Sequence, residues 1–126
     1  MISHKGECHC KKIRFMFKAP AITSVTICNC SICNAVGFQH VFVPHENFTL
    51  LRGENFIKSY RFGSGKAEHM FCTECGVKPF YQPRSHPDKY SINFRCLKKG
   101  TLKIENTIEF DGKNWEKHIN SLKSKV

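Results

Sequence analysis

Seven of the eight cysteines in this 126-residue chain fall in three tight groups, and their spacing limits what the chain can fold into. The groups are Cys8 and Cys10; Cys28, Cys30 and Cys33; and Cys72 and Cys75. Cys96 stands alone. Zinc takes a tetrahedron of soft ligands, and a structural site is usually closed by four protein groups. Cys72-Thr73-Glu74-Cys75-Gly76 is a tight turn that supplies half a tetrahedron, with Gly76 free to take the positive φ such a turn needs. Cys8-His9-Cys10 is a plausible second half. Joining the two would tie the start of the chain to its middle. Disulfides are the alternative. They are disfavoured because C-x-C neighbours bridge only with strain. The segment Met1–Glu7 also has no apolar stretch of a secretory signal, which makes a reducing cytoplasmic compartment the expectation.

Cys28-Asn29-Cys30-Ser31-Ile32-Cys33 is a different object. One compact loop can bring all three thiolates to a single metal, and it offers no obvious fourth ligand. Three protein ligands mark a reactive zinc site rather than a structural one. A fourth ligand from His9, His40, His69 or Cys96 would instead close the site and make both centres structural. An iron–sulfur cluster would also use thiolates, but its usual cysteine runs are longer. Cys96, after Ile92-Asn93-Phe94-Arg95, reads as a small core residue. Arg84, Arg95, Lys66 and Lys78 could hold carboxylates of an anionic ligand, with solvated surface charge as the default. The eleven Phe residues read as core before pocket.

The rest of the chain predicts one mostly β domain over residues 1–126. Ile13, Phe15 and Phe17 alternate with Arg14, Met16 and Lys18, the pattern of a half-buried strand. Further strands are expected at Ser24–Cys28, Gln39–Val43, Phe48–Leu51, Phe56–Phe62, Lys66–Phe71, Lys78–Gln82, Tyr90–Phe94 and Leu102–Phe110. Ile32–Val36 suits a single helical turn. Trp115, Ile119 and Leu122 share one face of a C-terminal helix, with Asn114 as candidate N-cap. No apolar run is long enough to span a membrane. The formal net charge is +10, and seven metal-bound thiolates on two dications would lower it by three. The basic residues are scattered, which suits a solubilising surface better than a nucleic-acid or cytoskeletal face.

Gly6-x-Cys8-His9-Cys10, Cys28-x-Cys30-Ser31-x-Cys33-x-x-x-Gly37, Phe71-Cys72-x-x-Cys75-Gly76 and Asp111-Gly112-x-x-Trp115 occur in an order that resembles the family of glutathione-dependent formaldehyde-activating enzymes and centromere protein V. The resemblance implies a zinc-containing β-tent fold of antiparallel sheets. It implies a structural zinc on Cys8, Cys10, Cys72 and Cys75 and a catalytic zinc on Cys28, Cys30 and Cys33. It also implies a carbon–sulfur lyase that joins glutathione, or a related small thiol, to formaldehyde as S-hydroxymethylglutathione. Two positions depart from the enzymes' common pattern: Asn29 stands for a His, and Lys11 for the Gly after the first C-x-C. The cysteine loop and Pro83-Arg84-Ser85 look more like the centromere protein V branch. That branch implies the alternative function, a non-catalytic basic zinc scaffold for a macromolecular partner.

Overall fold

Phe15 and Phe17 are wholly buried while Arg14, Met16 and Lys18 keep contact with solvent, as the alternation in this stretch predicts. A computed structural model describes residues 1–126. In chain order the elements are β1 (Ile2–Glu7), β2 (Arg14–Ala19), β3 (Ile22–Cys28), α1 (Ser31–Val36), β4 (Gln39–Pro44), β5 (Phe48–Arg52), β6 (Ile57–Tyr60), β7 (His69–Cys72), β8 (Phe80–Tyr81), β9 (Lys89–Asn93), β10 (Lys103–Phe110) and α2 (Trp115–Lys125). The mostly β architecture with a C-terminal helix agrees with the sequence reading. Neither helix is long and apolar enough to cross a membrane.

The strands form a three-stranded sheet in the order β1-β2-β5, a five-stranded sheet in the order β10-β3-β4-β9-β8, and the β6-β7 hairpin. Six of the seven strand pairings are antiparallel; β3 and β10 alone run parallel. That pair sets Cys28 opposite Phe110, so the chain leaving β10 emerges beside the cysteine loop that follows β3. The main core lies between the first two sheets. Phe15 packs edge-on to Phe80, with ring centroids 5.3 Å apart, and Phe48 joins both at 5.7 and 4.9 Å. Ile13, Val41, Val43 and Ile92 complete it. Such aromatic pairs add stability beyond the area they bury.

Several expectations shift on inspection. β1 has no apolar alternation; its buried positions are His4 and Gly6. His4 is satisfied by Thr101 Oγ1 at 2.8 Å and by backbone carbonyls at 3.2 Å, and Gly6 lies so close to Phe15 that a Cβ would strike its ring. The expected strand Phe56–Phe62 starts as a 3₁₀ turn (Glu54–Phe56) and ends at Tyr60. Lys66–Phe71 becomes β7 at His69–Cys72, with Glu68 in an isolated bridge to Gln82, and Lys78–Gln82 shortens to β8, since Pro79 has no N–H for a ladder. The helical stripe holds, with Ile119 and Leu122 buried. Asn114 occupies the N-cap position but makes no capping bond. Its amide instead donates to Asp111 Oδ2 at 2.8 Å.

Two backbone positions make opposite predictions. Gly53 has φ +96°, and a Cβ there would run into the Lys12 carbonyl and lie 2.7 Å from Ile13 Cα. Left-handed strain costs about 1–2 kcal/mol and a backbone clash adds about 1–3. Gly53→Ala is therefore expected to lose roughly 2–5 kcal/mol in denaturant unfolding. Gly63→Ala, with positive φ but open space around it, should lose only the first part. Lys11 is the sole non-glycine residue with positive φ, at 67°. Lys11→Gly relieves that strain but adds unfolded-state entropy of about 0.5–1 kcal/mol. A net gain of about 0.5–1 kcal/mol is expected in the same assay.

Candidate metal centres and cavity

The first and third cysteine groups meet. Cys8 and Cys10 come from the turn after β1, Cys72 from the end of β7, and Cys75 from the turn that follows. Their four sulfurs lie within 4.8 Å of one another. Cys8 Sγ is 3.5 Å from Cys10 Sγ, which is 3.6 Å from Cys72 Sγ. A tetrahedron with Zn–S bonds of about 2.3 Å has edges of about 3.8 Å, whereas a disulfide needs about 2.05 Å. All eight cysteines are free, so the donor set and its spacing suit a dication and not a bridge. The turn geometry serves the sulfurs. Gly76 takes φ +73° and donates its N–H to the Cys72 carbonyl at 2.8 Å, and Ile13 N–H points at Cys8 Sγ at 3.4 Å. Burial pushes the Cys8 thiol up. At Cys75 burial acts the same way, but backbone N–H groups of Cys10 and Val77 outweigh it and hold the thiol at about 6.

The second group stays separate. Cys28 ends β3, Cys30 precedes the first turn of α1, and Cys33 lies inside that turn, three residues on and on the same face. Gly37, at φ 67°, closes the helix by donating to the Cys33 carbonyl at 3.0 Å. The three sulfurs lie within 4.8 Å of one another, and no His, Asp or Glu joins them. His9, His40, His69 and Cys96, the candidate fourth ligands, thus stand outside both clusters. The thiols act on one another in opposite senses. Cys28 and Cys33 hold Cys30 down at about 2, and the same contacts push Cys33 strongly upward. Three thiolates so close together are compatible only if a cation joins them, which is the donor chemistry of a zinc site.

The turn between β10 and α2 braces this loop. Asn29 Nδ2 donates to Asp111 Oδ1 at 3.0 Å, and Lys113 N–H donates to Asn29 Oδ1 at 3.1 Å. Gly112 lies directly on the cluster. A Cβ there would collide with Cys28 Sγ and stand 2.9 Å from Cys30 Cβ. Asn29, the residue that departs from the pattern, is therefore a strut between two segments 82 residues apart.

The three cysteines also line a cavity of about 230 Å³. Seven of its twenty lining residues carry aromatic rings, the two histidines included. Phe62 stacks on His69 at 5.4 Å, His69 on Tyr81 at 4.8 Å, and His40 on Phe42 at 6.0 Å. Trp115, Phe110 and Leu122 add the C-terminal helix side. His40 Nδ1 hydrogen-bonds with Ser91 Oγ at 2.8 Å, and its Nε2 has no partner in the protein. Burial holds His40 at about 4 and lowers His69 as well, so both rings are neutral near pH 7. Arg84 is the one cationic side chain on the wall. Its guanidinium lies 3.8 Å from the Trp115 ring centroid and pairs with Glu116 at 3.0 Å.

Sequence reasoning took Arg84 as surface charge and the Phe residues as core, and so missed the cavity. Cys96, expected as a small core residue, lies instead in the 3₁₀ turn Phe94–Cys96 and is only half-buried. Its thiol is pushed by burial to about 11, and its sulfur lies 4.0 Å from the Lys78 carbonyl. Lys66, Lys78 and Arg95 do not reach this cavity.

The fold has a counterpart among known proteins. A crystal structure of a Rhodobacter sphaeroides protein superposes with a TM-score of 0.72 at 26% identity, covering 82% of this chain and 98% of that one. Residues 3–118 match the model of one protein family. The chain belongs to the family of glutathione-dependent formaldehyde-activating enzymes.

Proposed function

We propose that this protein is a zinc-dependent carbon–sulfur lyase that makes and splits the adduct of formaldehyde with a small thiol, of which glutathione is the one the family is named for. The observation that carries the reading is the three-sulfur cluster on a cavity wall, with no fourth protein donor beside it. In this reading Cys8, Cys10, Cys72 and Cys75 hold a structural zinc, and Cys28, Cys30 and Cys33 hold the reactive one. Zinc bound there supplies positive charge that lowers the pKa of a nearby thiol. The reaction itself is an addition. The thiol sulfur bonds to the formaldehyde carbon, the carbonyl π pair moves to oxygen, and oxygen takes up the proton the thiol gave. Nothing is oxidised or reduced.

The chain's own residues do the positioning. Asn29 and Asp111 fix the cysteine loop against the β10–α2 turn, and Gly112 lets that turn close onto the sulfurs. The aromatic wall excludes water from the reacting sulfur, which strengthens electrostatics inside the cavity. Binding in a fixed orientation converts the addition into an effectively unimolecular step.

The zinc-loaded protein is expected to hold two metals per chain by elemental analysis and to raise the rate of adduct exchange measured by NMR. No acceleration with any thiol, together with no thiol binding in calorimetry, would sink the reaction. The two clusters should fail differently. A structural zinc contributes about 10 kcal/mol or more, against a total stability of about 5–15. Cys72→Ser should therefore abolish cooperative unfolding. Cys30→Ser should drop the metal count from two to one and cut exchange at least about 100-fold, with a melting temperature within a few degrees of the parent.

Gly112→Ala isolates the second centre. The added methyl group displaces Cys28 Sγ but touches nothing of the four-cysteine cluster. Competition with a chromogenic chelator should show one zinc released about 10–100-fold more readily and the other unchanged. Equal release of both would contradict the assignment.

A further inference from the structure

The cavity beside the three-cysteine cluster is built for a different thiol from the one the family is named for. We infer that it selects thiols with an uncharged aromatic body over glutathione, an inference that rests on the reaction proposed above. Glutathione carries two carboxylates and an ammonium group at neutral pH. A buried charge is tolerated only when paired. No Asp, Glu or Lys lines this cavity. Its only guanidinium, Arg84, lies on the Trp115 face and pairs with the exposed Glu116. The two carboxylates would share that one cation, and the ammonium group would find no anion on the cavity wall.

Size and surface point the same way. Sites that bury a drug-sized ligand usually span about 300–1,000 Å³. This one, at about 230 Å³, suits a single ring bearing a short thiol arm. Its walls offer ring faces at the right places. Phe62, His69 and Tyr81 form one continuous stack, and Trp115 stands among the other lining residues. Phe62 stacks between Tyr60 and His69 yet stays 43% exposed, and it lies on the cavity wall beside the Gly63-Ser64 turn. A ligand ring laid against Phe62 would cover it. His40 and His69 are neutral there, so Arg84 is the only positively charged side chain on the wall.

The test uses the zinc-loaded full chain with benzyl mercaptan and glutathione as probes, by isothermal calorimetry under reducing conditions. Benzyl mercaptan is expected to bind at least about tenfold more tightly, the size of one good aromatic contact. Phe62→Ala should weaken benzyl mercaptan about three- to tenfold and weaken glutathione less. Because this ring is part-exposed, the variant should keep its melting temperature. Glutathione binding as tightly as benzyl mercaptan would overturn the inference, as would binding of neither, or a Phe62→Ala loss shared equally by both. Adduct exchange measured on the same samples separates this inference from the proposed reaction. Exchange with glutathione favoured keeps the lyase and rejects the selectivity. Tight benzyl mercaptan binding without exchange of either adduct keeps the selectivity and rejects the lyase.

Discussion

Like charges cannot be gathered at contact distance without something of opposite sign, and this chain gathers thiols twice. Four sulfurs from segments more than 60 residues apart converge near one point, and three more from a single loop converge near another. The pull on their protons is uneven, with Cys75 held at about 6 and Cys30 at about 2 while Cys8 and Cys33 are pushed up. A divalent cation removes that conflict at each place. The two clusters then differ in one respect that governs everything else: the number of sulfurs. Four complete a tetrahedron, and three do not.

The parallel pairing of β3 with β10 turns this difference into an architecture. It sets Cys28 level with Phe110 and delivers Asp111 and Gly112 onto the cysteine loop. The same geometry brings α2 over one side of the cavity through Trp115 and Leu122. The four-cysteine cluster faces the opposite problem. It pins the turn after β1 to the turn after β7, elements that belong to different sheets and share no hydrogen-bonded ladder. Lys12 and Glu74 approach to 3.3 Å across these turns, but an exposed ion pair contributes well under about 1 kcal/mol. Sulfur, not surface charge, has to make that join.

Much of this was legible in the cysteine spacing, because ligand chemistry depends on which residue types stand close in sequence. The grouping of Cys8 and Cys10 with Cys72 and Cys75 could be read from two half-sites, and Gly76 announced the backbone its turn requires. β2 was legible because one of its faces is dry. β1 was not, since its inward positions are a hydrogen-bonded histidine and a glycine yielding space to Phe15. The cavity was hidden for a related reason. A Phe that lines a pocket and a Phe that fills a core look alike along the chain. Only the fold shows that Phe62 and His69 stack in line with Tyr81 beside the sulfurs. Arg84 was misread because its partner, Trp115, lies across the β10–α2 junction.

The two departures from the family's usual residues illustrate how a scaffold absorbs change. Lys11 stands where a glycine is common and keeps the left-handed backbone that glycine would take, with its carbonyl held by Arg52 at 2.8 Å. The turn geometry is retained at a cost in strain, so the neighbouring sulfur of Cys10 stays in place. Asn29 is a different case. It replaces a histidine between two cysteines, and both ends of its amide are used to bind the Asp111 turn. A carboxamide does not titrate, so any acid–base work at this site falls to other groups, among them an incoming thiol and the neutral His40 and His69. That division suits the addition proposed above, whose proton leaves the incoming thiol and returns to the new hydroxyl, and under that proposal selectivity rests on the cavity wall instead of on the cysteine loop.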